Sequence, residues 1–158
     1  MWQEPECLPV VSYLFGKGRH KEATERLVEQ LMALNPDAMR DSWIQRHHML
    51  KCRCFDANGL LKSWDLGWCD IAKLPESFGD ILCTGNLYLN ANRLESLPLR
   101  FVNLRVGGCL SLKTNKLRSL PPNFEQIRVG DGLDLYGNPE LTGIPAQFPN
   151  LKGTVYRP

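Results

Sequence analysis

The chain has almost no excess charge of either sign, and it lacks long hydrophobic runs. Nineteen lysines and arginines stand against seventeen aspartates and glutamates, so the formal net charge is only +2. Proteins that bind nucleic acids or anionic membranes carry a strong basic excess, and this balance therefore argues against both partners. No apolar stretch approaches the roughly 20 residues that a membrane-spanning helix needs.

Signals of secretion are also missing. Residues 1–6 read MWQEPE, which is acidic and has no basic stretch ahead of an apolar one, so we expect no signal peptide. The sequence has no Asn-x-Ser/Thr glycosylation site. Six cysteines could form three disulfides in a secreted protein, but these observations favour free thiols in a reducing, cytoplasmic compartment. The cysteines are Cys7, Cys52, Cys54, Cys69, Cys83 and Cys109.

Histidine is scarce, which limits the chemistry that the chain can perform. The three histidines are His20, His47 and His48, so a Ser-His-Asp or Cys-His site cannot be built from the remaining two thirds of the chain alone. His48 and Cys52 would share one face of a predicted helix, but their spacing is unlike that of a zinc knuckle. We therefore expect no catalytic residue, no metal, no cofactor and no small-molecule substrate.

From residue 64 onward the sequence repeats itself every 23 residues. The copies span residues 64–86, 87–109, 110–132 and 133–158, and the last carries one extra residue after Pro139. Each copy opens with an apolar-x-Leu strand signal, and an apolar-Pro pair lies in its second half. Two further columns are Cys69, Asn92, Asn115 and Asn138, and then Phe78, Phe101, Phe124 and Phe148.

This pattern resembles the leucine-rich repeat family, whose core reads L-x-L-x-x-N-x-L. The resemblance covers about 95 residues, from Trp64 to the end. The L-P-x-x-F half is similar to that of cytoplasmic members, and the Val-Gly-Gly lead-in at residues 106–108 is similar to protist and large-DNA-virus variants. The resemblance implies an α/β-type solenoid, a right-handed superhelix of about four repeats with a short parallel sheet.

The physical chemistry of the columns leads to the same expectation. An L-x-L strand turns two side chains inward and one outward. The asparagine amide then satisfies backbone groups of the turn that have no sheet partner. The phenylalanine column is expected to stack into a second apolar spine, so each repeat is stabilised mainly by its neighbours.

Residues 1–57 are predicted to be a helical N-terminal cap that covers the open end of the repeats at residues 58–158. An amphipathic helix is expected over residues 19–34, and a second from Asn35-Pro36-Asp37 to about Cys54. The first is expected to bury Ala23, Leu27, Leu31 and Leu34, and the second to bury Met39, Trp43, His47 and Leu50.

Outward positions of the strands are expected to build the concave face of the solenoid. The candidate partner-binding residues are Asp65, Trp68, Tyr88, Asn90, Ser111, Lys113, Asp134 and Tyr136. Tyrosine and tryptophan are favoured at binding hot spots. Two alternatives stay open. The face could be a solvated sheet surface without a partner, with Trp68 tucked under the cap, and Lys113 and Tyr136 could interact with each other rather than with a ligand.

A basic row is a second candidate site. Arg105, Arg128 and Lys152 fall in one column of the repeat. Because stacked like charges repel, the row could attract an acidic partner or a phosphate, or it could be a solvated edge that keeps the array soluble.

We therefore predict a non-catalytic module that binds a protein partner through the concave face. One alternative is an adaptor, of the ubiquitin-ligase or scaffold type, whose helical N-terminus docks a second protein. Another is a structural component of a large assembly, such as a virion, that uses the sheet edge at residues 154–156.

Overall fold

A computed structural model describes residues 7–36 and 42–158, and the side chains from residue 10 and residue 44 onward in those ranges. Three helices come first in this part of the chain, and short strands follow. The helices are α1 (Cys7–Gly16), α2 (His20–Leu34) and α3 (Ser42–Lys51). The strands are β1 (Arg53–Phe55), β2 (Leu61–Asp65), β3 (Leu82–Cys83), β4 (Leu87–Tyr88), β5 (Arg105–Val106), β6 (Leu110–Ser111), β7 (Arg128–Val129), β8 (Leu133–Asp134) and β9 (Val155–Tyr156).

The strands form two open sheets. The larger has six strands in the order β1-β2-β4-β6-β8-β9, and the smaller has the order β3-β5-β7. Strand β1 is antiparallel to β2, whereas the other neighbouring pairs are parallel. The expected α/β class with a short, mostly parallel sheet is therefore confirmed, and the sheet does not close into a barrel.

Register in the larger sheet follows the period of the sequence. Trp64 pairs with Leu87, Leu87 with Leu110, and Leu110 with Leu133, so each step is 23 residues. The last step is 22 residues, because Leu133 pairs with Val155. Equivalent side chains of successive copies therefore lie side by side on neighbouring strands.

Two apolar rows fill the interior. The strand leucines, such as Leu87 and Leu89, are fully buried. Phe78, Phe101 and Phe124 lie in short 3₁₀ helices and stack as expected, whereas Phe148 lies outside such a helix and meets the Phe124 ring edge-on at 6.1 Å. The ring centroids of Phe78 and Phe101 are 6.3 Å apart, and those of Phe101 and Phe124 are 6.5 Å apart, both in stacked geometry. The spine joins the sheet at Trp64, whose ring stacks on Phe78 at 6.4 Å.

The asparagine column is buried and fully used by the backbone, as expected. Asn92 Oδ1 accepts the N–H groups of Cys69 at 3.1 Å and Ile71 at 2.9 Å. Its Nδ2 donates to carbonyl groups of two neighbouring strands. Asn115 and Asn138 make equivalent bonds one and two repeats further on. Each amide therefore ties its own repeat to the preceding one.

The first amphipathic helix agrees with its prediction except at its end. Helix α2 buries Ala23, Leu27 and Leu31, but Leu34 is 41% exposed because the helix stops there. Asn35 was predicted to start the next helix. The start of that helix lies outside the described residues, but Asn35 directly follows α2: its Nδ2 donates to the Leu31 carbonyl at 2.8 Å, and its Oδ1 accepts the N–H groups of residues 72 and 73 at 2.8 and 3.0 Å.

The second helix ends earlier than predicted. Helix α3 ends at Lys51, because the next residues join the sheet as β1. His47 is exposed and Leu50 is half-buried, whereas Met49 is fully buried. The indole Nε1 of Trp64 donates to the Met49 carbonyl at 2.9 Å, so contact with the sheet decides which face of α3 turns inward. The expected burial of Met39 and Trp43 lies outside the described side chains.

Candidate functional site

The outward side of the six-stranded sheet, called the sheet face below, gathers most of the predicted partner-binding residues. Strand register places the side chains of one row next to one another: Asp65, Tyr88, Ser111 and Asp134. Backbone bonds continue the alignment into a second row: Gly67, Asn90, Lys113 and Tyr136. Seven of the eight predicted residues thus lie in these two rows, and Trp68 follows at the rim.

Three members of the first row are engaged with the backbone. Asp65 Oδ1 accepts the N–H of Gly67 at 2.9 Å, and Asp134 Oδ1 accepts the N–H of Tyr136 at 3.0 Å. The Ser111 hydroxyl lies at 3.5 Å from the N–H of the residue two positions on. These side chains cap N–H groups at the ends of the strands, so their first role is structural.

Tyr88 is held in place by Asn86, which is not among the residues predicted to bind a partner. Asn86 Nδ2 donates to the Tyr88 hydroxyl at 2.8 Å, and Asn86 Oδ1 accepts the N–H of Cys109 at 2.7 Å. The sequence does contain a signal for this contact, because side chains two residues apart in a strand, such as residues 86 and 88, point to the same side. The Tyr88 hydroxyl is therefore held in a defined position by the neighbouring amide.

Lys113 and Tyr136 do interact with each other. The Lys113 ammonium lies 5.9 Å from the centre of the Tyr136 ring, across adjacent strands. Both side chains remain exposed, and Tyr136 keeps 59% of its accessible surface. The contact therefore leaves both side chains largely accessible to solvent.

Trp68 is the most unusual residue of this surface. Its side chain is 81% exposed, so it is not tucked under the helical segment. Its backbone has a φ of +60°, in the left-handed region. The same position of later repeats also has a positive φ, but there the residues are small: Ala91, Thr114 and Gly137. A left-handed backbone is unfavourable for a bulky residue, and exposure of an apolar ring to water adds no stability. The stability of the folded chain alone therefore does not explain a tryptophan at this position.

Tyr156 belongs to the sheet face, whereas the repeat pattern predicts it only at a sheet edge. Strand β9 pairs with β8 so that Tyr156 lies beside Asp134 in the first row. Its ring is 55% exposed. The shortened last step of 22 residues concealed this position from an alignment of 23-residue copies.

The basic row is shorter than predicted. Arg105 and Arg128 pair in register on β5 and β7 of the smaller sheet. Val129 bridges Leu151, so Lys152 lies beyond the row rather than in it. The physical reason is that the segment between the phenylalanine and the following strand is shorter in the last repeat. Phe124 precedes Val129 by five residues, whereas Phe148 precedes Leu151 by three.

Burial disfavours the reactive thiolate form of three of the cysteines, Cys52, Cys69 and Cys83. Cys52 Sγ lies 3.9 Å from His48 Nε2, but burial, with a smaller contribution from Asp65, raises the pKa of the Cys52 thiol. Burial also raises the pKa of Cys69 to about 12 and that of Cys83 to about 11. A reactive cysteine requires the opposite shift. The five cysteines with described side chains are free, as expected, and Cys7 lies outside that set.

Two further properties hold for residues 7–36 and 42–158. No cluster of three His, Cys, Asp or Glu side chains there could hold a metal ion. None of the helices there combines the length and apolar character that crossing a bilayer requires. No protein-family model matches the chain, and no curated protein compared with it matches either.

Proposed function

We propose that the chain is a leucine-rich repeat solenoid that binds a protein partner through the sheet face, without catalytic turnover. The helical segment closes one end of the repeats in this proposal, and the sheet face is the concave side. The 23-residue register, the asparagine bonds and the phenylalanine spine support the solenoid, since each ties a repeat to its neighbours.

The observation that carries the binding function is the exposed Trp68 on a left-handed backbone. Tryptophan is the residue type most enriched at binding hot spots, because it buries a large rigid surface in the complex. The free chain keeps this ring in water at a position that a glycine occupies in the last repeat. A partner that covers the ring explains why such a residue stands there.

Other side chains of the sheet face suit the same purpose. Tyr88 is fixed by its bond from Asn86, and Tyr136 is braced by Lys113. Strands β2 and β8 are three steps apart, which corresponds to roughly 14 Å at 4.8 Å per step. Trp68 and Tyr136 therefore bound a surface that accommodates a short segment of another protein, with Tyr88 between them.

The test compares partner capture by matched variants. Trp68→Asn removes the ring but suits a left-handed backbone, so the variant is expected to fold as well as the wild type. The control is Leu99→Asn, which removes a side chain of similar exposure, 65%, from a 3₁₀ turn outside the sheet face. We expect a partner identified by mass spectrometry to be lost with the first variant and retained with the second.

A third variant separates this proposal from docking through the helices. Ile44 is 56% exposed on α3, and Ile44→Asn changes only the helical surface. Loss of the partner with Ile44→Asn and its retention with Trp68→Asn would overturn the proposal in favour of an adaptor. Equal retention by all three variants would exclude the sheet face as the main binding surface.

A further inference from the structure

We propose that Arg105 and Arg128 form an anion site for a phosphorylated serine or threonine side chain of a partner protein. The site lies on the smaller sheet and does not use the residues of the sheet face. It is therefore a second binding site that stands or falls separately from the protein-binding function proposed above.

The two arginines are placed side by side by the register of the smaller sheet. Arg105 pairs with Arg128 on neighbouring parallel strands, and both side chains are exposed. Neighbouring strands are about 4.8 Å apart, so the two positive charges repel each other unless an anion lies between them. The fold thus brings together a pair of like charges that a ligand can stabilise.

The lack of acidic partners distinguishes these two arginines from others in the repeats. Three arginines each pair with a carboxylate on an adjacent repeat. The pairs are Arg93–Asp70 at 2.5 Å, Arg100–Asp80 at 2.5 Å and Arg118–Glu140 at 3.3 Å. Within the described part of the chain, no carboxylate lies within salt-bridge distance of Arg105 or Arg128. The repeats therefore pair three other arginines with carboxylates and leave Arg105 and Arg128 without such a pair.

A groove runs along the pair. It has a volume of about 300 Å³, and Arg105, Arg128, Leu82 and two glycines are among the residues that line it. A Cβ atom on Gly130 would lie 2.0 Å from the carbonyl oxygen of Gly107, so only glycine permits this approach of the strands. The groove is also lined by Cys83, Val106 and Val129, so the two arginines border one mostly apolar surface that a ligand can reach.

The charge of the pair favours a phosphate monoester over a carboxylate. A phosphorylated side chain carries about −1.5 to −2 charges and three acceptor oxygens near neutral pH. It can therefore accept hydrogen bonds from both guanidinium groups at once and neutralise their two positive charges. A carboxylate carries one negative charge and neutralises only one of them. The apolar wall at Leu82 also suits a ligand with an organic part rather than a bare ion.

A nearby acidic side chain does not cancel the preference for a phosphate group. Asp80 shares an adjoining cavity with Arg105, but both of its oxygens are bonded by Arg100, at 2.5 and 3.3 Å. A membrane headgroup is a less suitable ligand, because membrane recognition uses clusters of about four to eight basic residues. Two arginines in a groove match one phosphate group instead.

The test is an NMR titration of the full chain, labelled with nitrogen-15. The probes are N-acetyl-O-phosphoserine methylamide, the same compound without phosphate, and inorganic phosphate. We expect the phosphorylated compound to shift the amide signals of Gly107 and Gly130 at millimolar concentration, inorganic phosphate to bind more weakly, and the unphosphorylated compound to have no effect. Absence of any shift with the phosphorylated compound would overturn the proposal.

Matched variants separate a built site from general charge attraction. Arg105→Gln/Arg128→Gln should weaken binding by about tenfold or more, because both charge-assisted contacts are lost. Arg93→Gln/Arg118→Gln removes the same charge from paired arginines and should leave binding within about twofold of the wild type. Equal weakening by both variants would overturn the site.

Two further measurements complete the test. Arg105→Lys/Arg128→Lys keeps both charges and loses the planar guanidinium groups. This conservative variant should fold normally and bind more weakly than the wild type. Vesicles of phosphatidylcholine with a phosphoinositide test the membrane source. Binding to these vesicles with no response to the phosphoserine compound would contradict the proposal in favour of a lipid.

Discussion

His20 Nδ1 accepts the backbone N–H of Leu61 at 2.7 Å, which bonds the first residue of α2 to the first residue of β2. The ring proton therefore lies on Nε2, which is buried and has no partner in the described part of the chain. The side chain is only 1% exposed and meets the Phe15 ring edge-on at 4.9 Å. Burial lowers the pKa of His20, so this link between helices and sheet requires a neutral imidazole.

Acid should weaken the fold through His20. The folded-state pKa lies below the value of about 6.5 in the unfolded chain, so unfolding takes up a proton as the pH falls below that value. The stabilisation is complete above about pH 6.5 and is lost as the pH falls toward the folded-state pKa. His20→Asn keeps an acceptor near the Nδ1 position without titrating. Urea unfolding at a series of pH values should give a shallower loss of stability for this variant, and identical slopes would contradict the assignment.

Removal of one buried asparagine should destabilise the repeats. Asn115 Oδ1 accepts the N–H of Leu94, and Nδ2 donates to two strand carbonyls, so Asn115→Ala leaves buried polar groups without partners. We expect a loss of about 1–3 kcal/mol in the free energy of unfolding, measured with denaturant. Asn90→Ala is the control, because this half-buried amide lies on the sheet face. A similar small effect of both changes would contradict the structural role of the column.

The Lys113–Tyr136 contact should be measurable as a coupling energy. A double-mutant cycle with Lys113→Met and Tyr136→Leu removes the ammonium and the aromatic ring separately and together. We expect a coupling of about 0.5–1 kcal/mol, the range for exposed cation–π pairs. Additive effects within error would show that the two side chains are neighbours without interacting.

Alkylation should distinguish the thiols by their position. Cys54 is exposed, whereas Cys69 and Cys83 are fully buried with pKa values raised to about 12 and about 11. Iodoacetamide at neutral pH should label Cys54 in the native chain and label the two buried thiols only after unfolding. Peptide mass spectrometry reads the sites. Rapid native labelling of Cys69 would show that the junction of the first repeat opens.

Much of the fold could be predicted from the repeated sequence. A constant step of 23 residues places equivalent side chains on neighbouring strands, so the rows of the sheet face and the buried asparagines followed from alignment. The period failed where the last repeat changed its length. Lys152 left the basic row and Tyr156 joined the sheet face, because the last repeat gains one residue after Pro139 and then loses two after Phe148, which shifts the register of the residues that follow.

The sequence by itself determined the class of fold, the strand spacing and most residues of the sheet face, because those properties depend on a periodic pattern of nearby residues. Only the tertiary structure decided that Met49 turns inward and that Asn35 bonds residues 72 and 73. The tertiary structure also exposed Trp68 and, within the described part of the chain, left Arg105 and Arg128 without a carboxylate partner. Those outcomes depend on contacts between segments far apart in the chain, which no local pattern encodes.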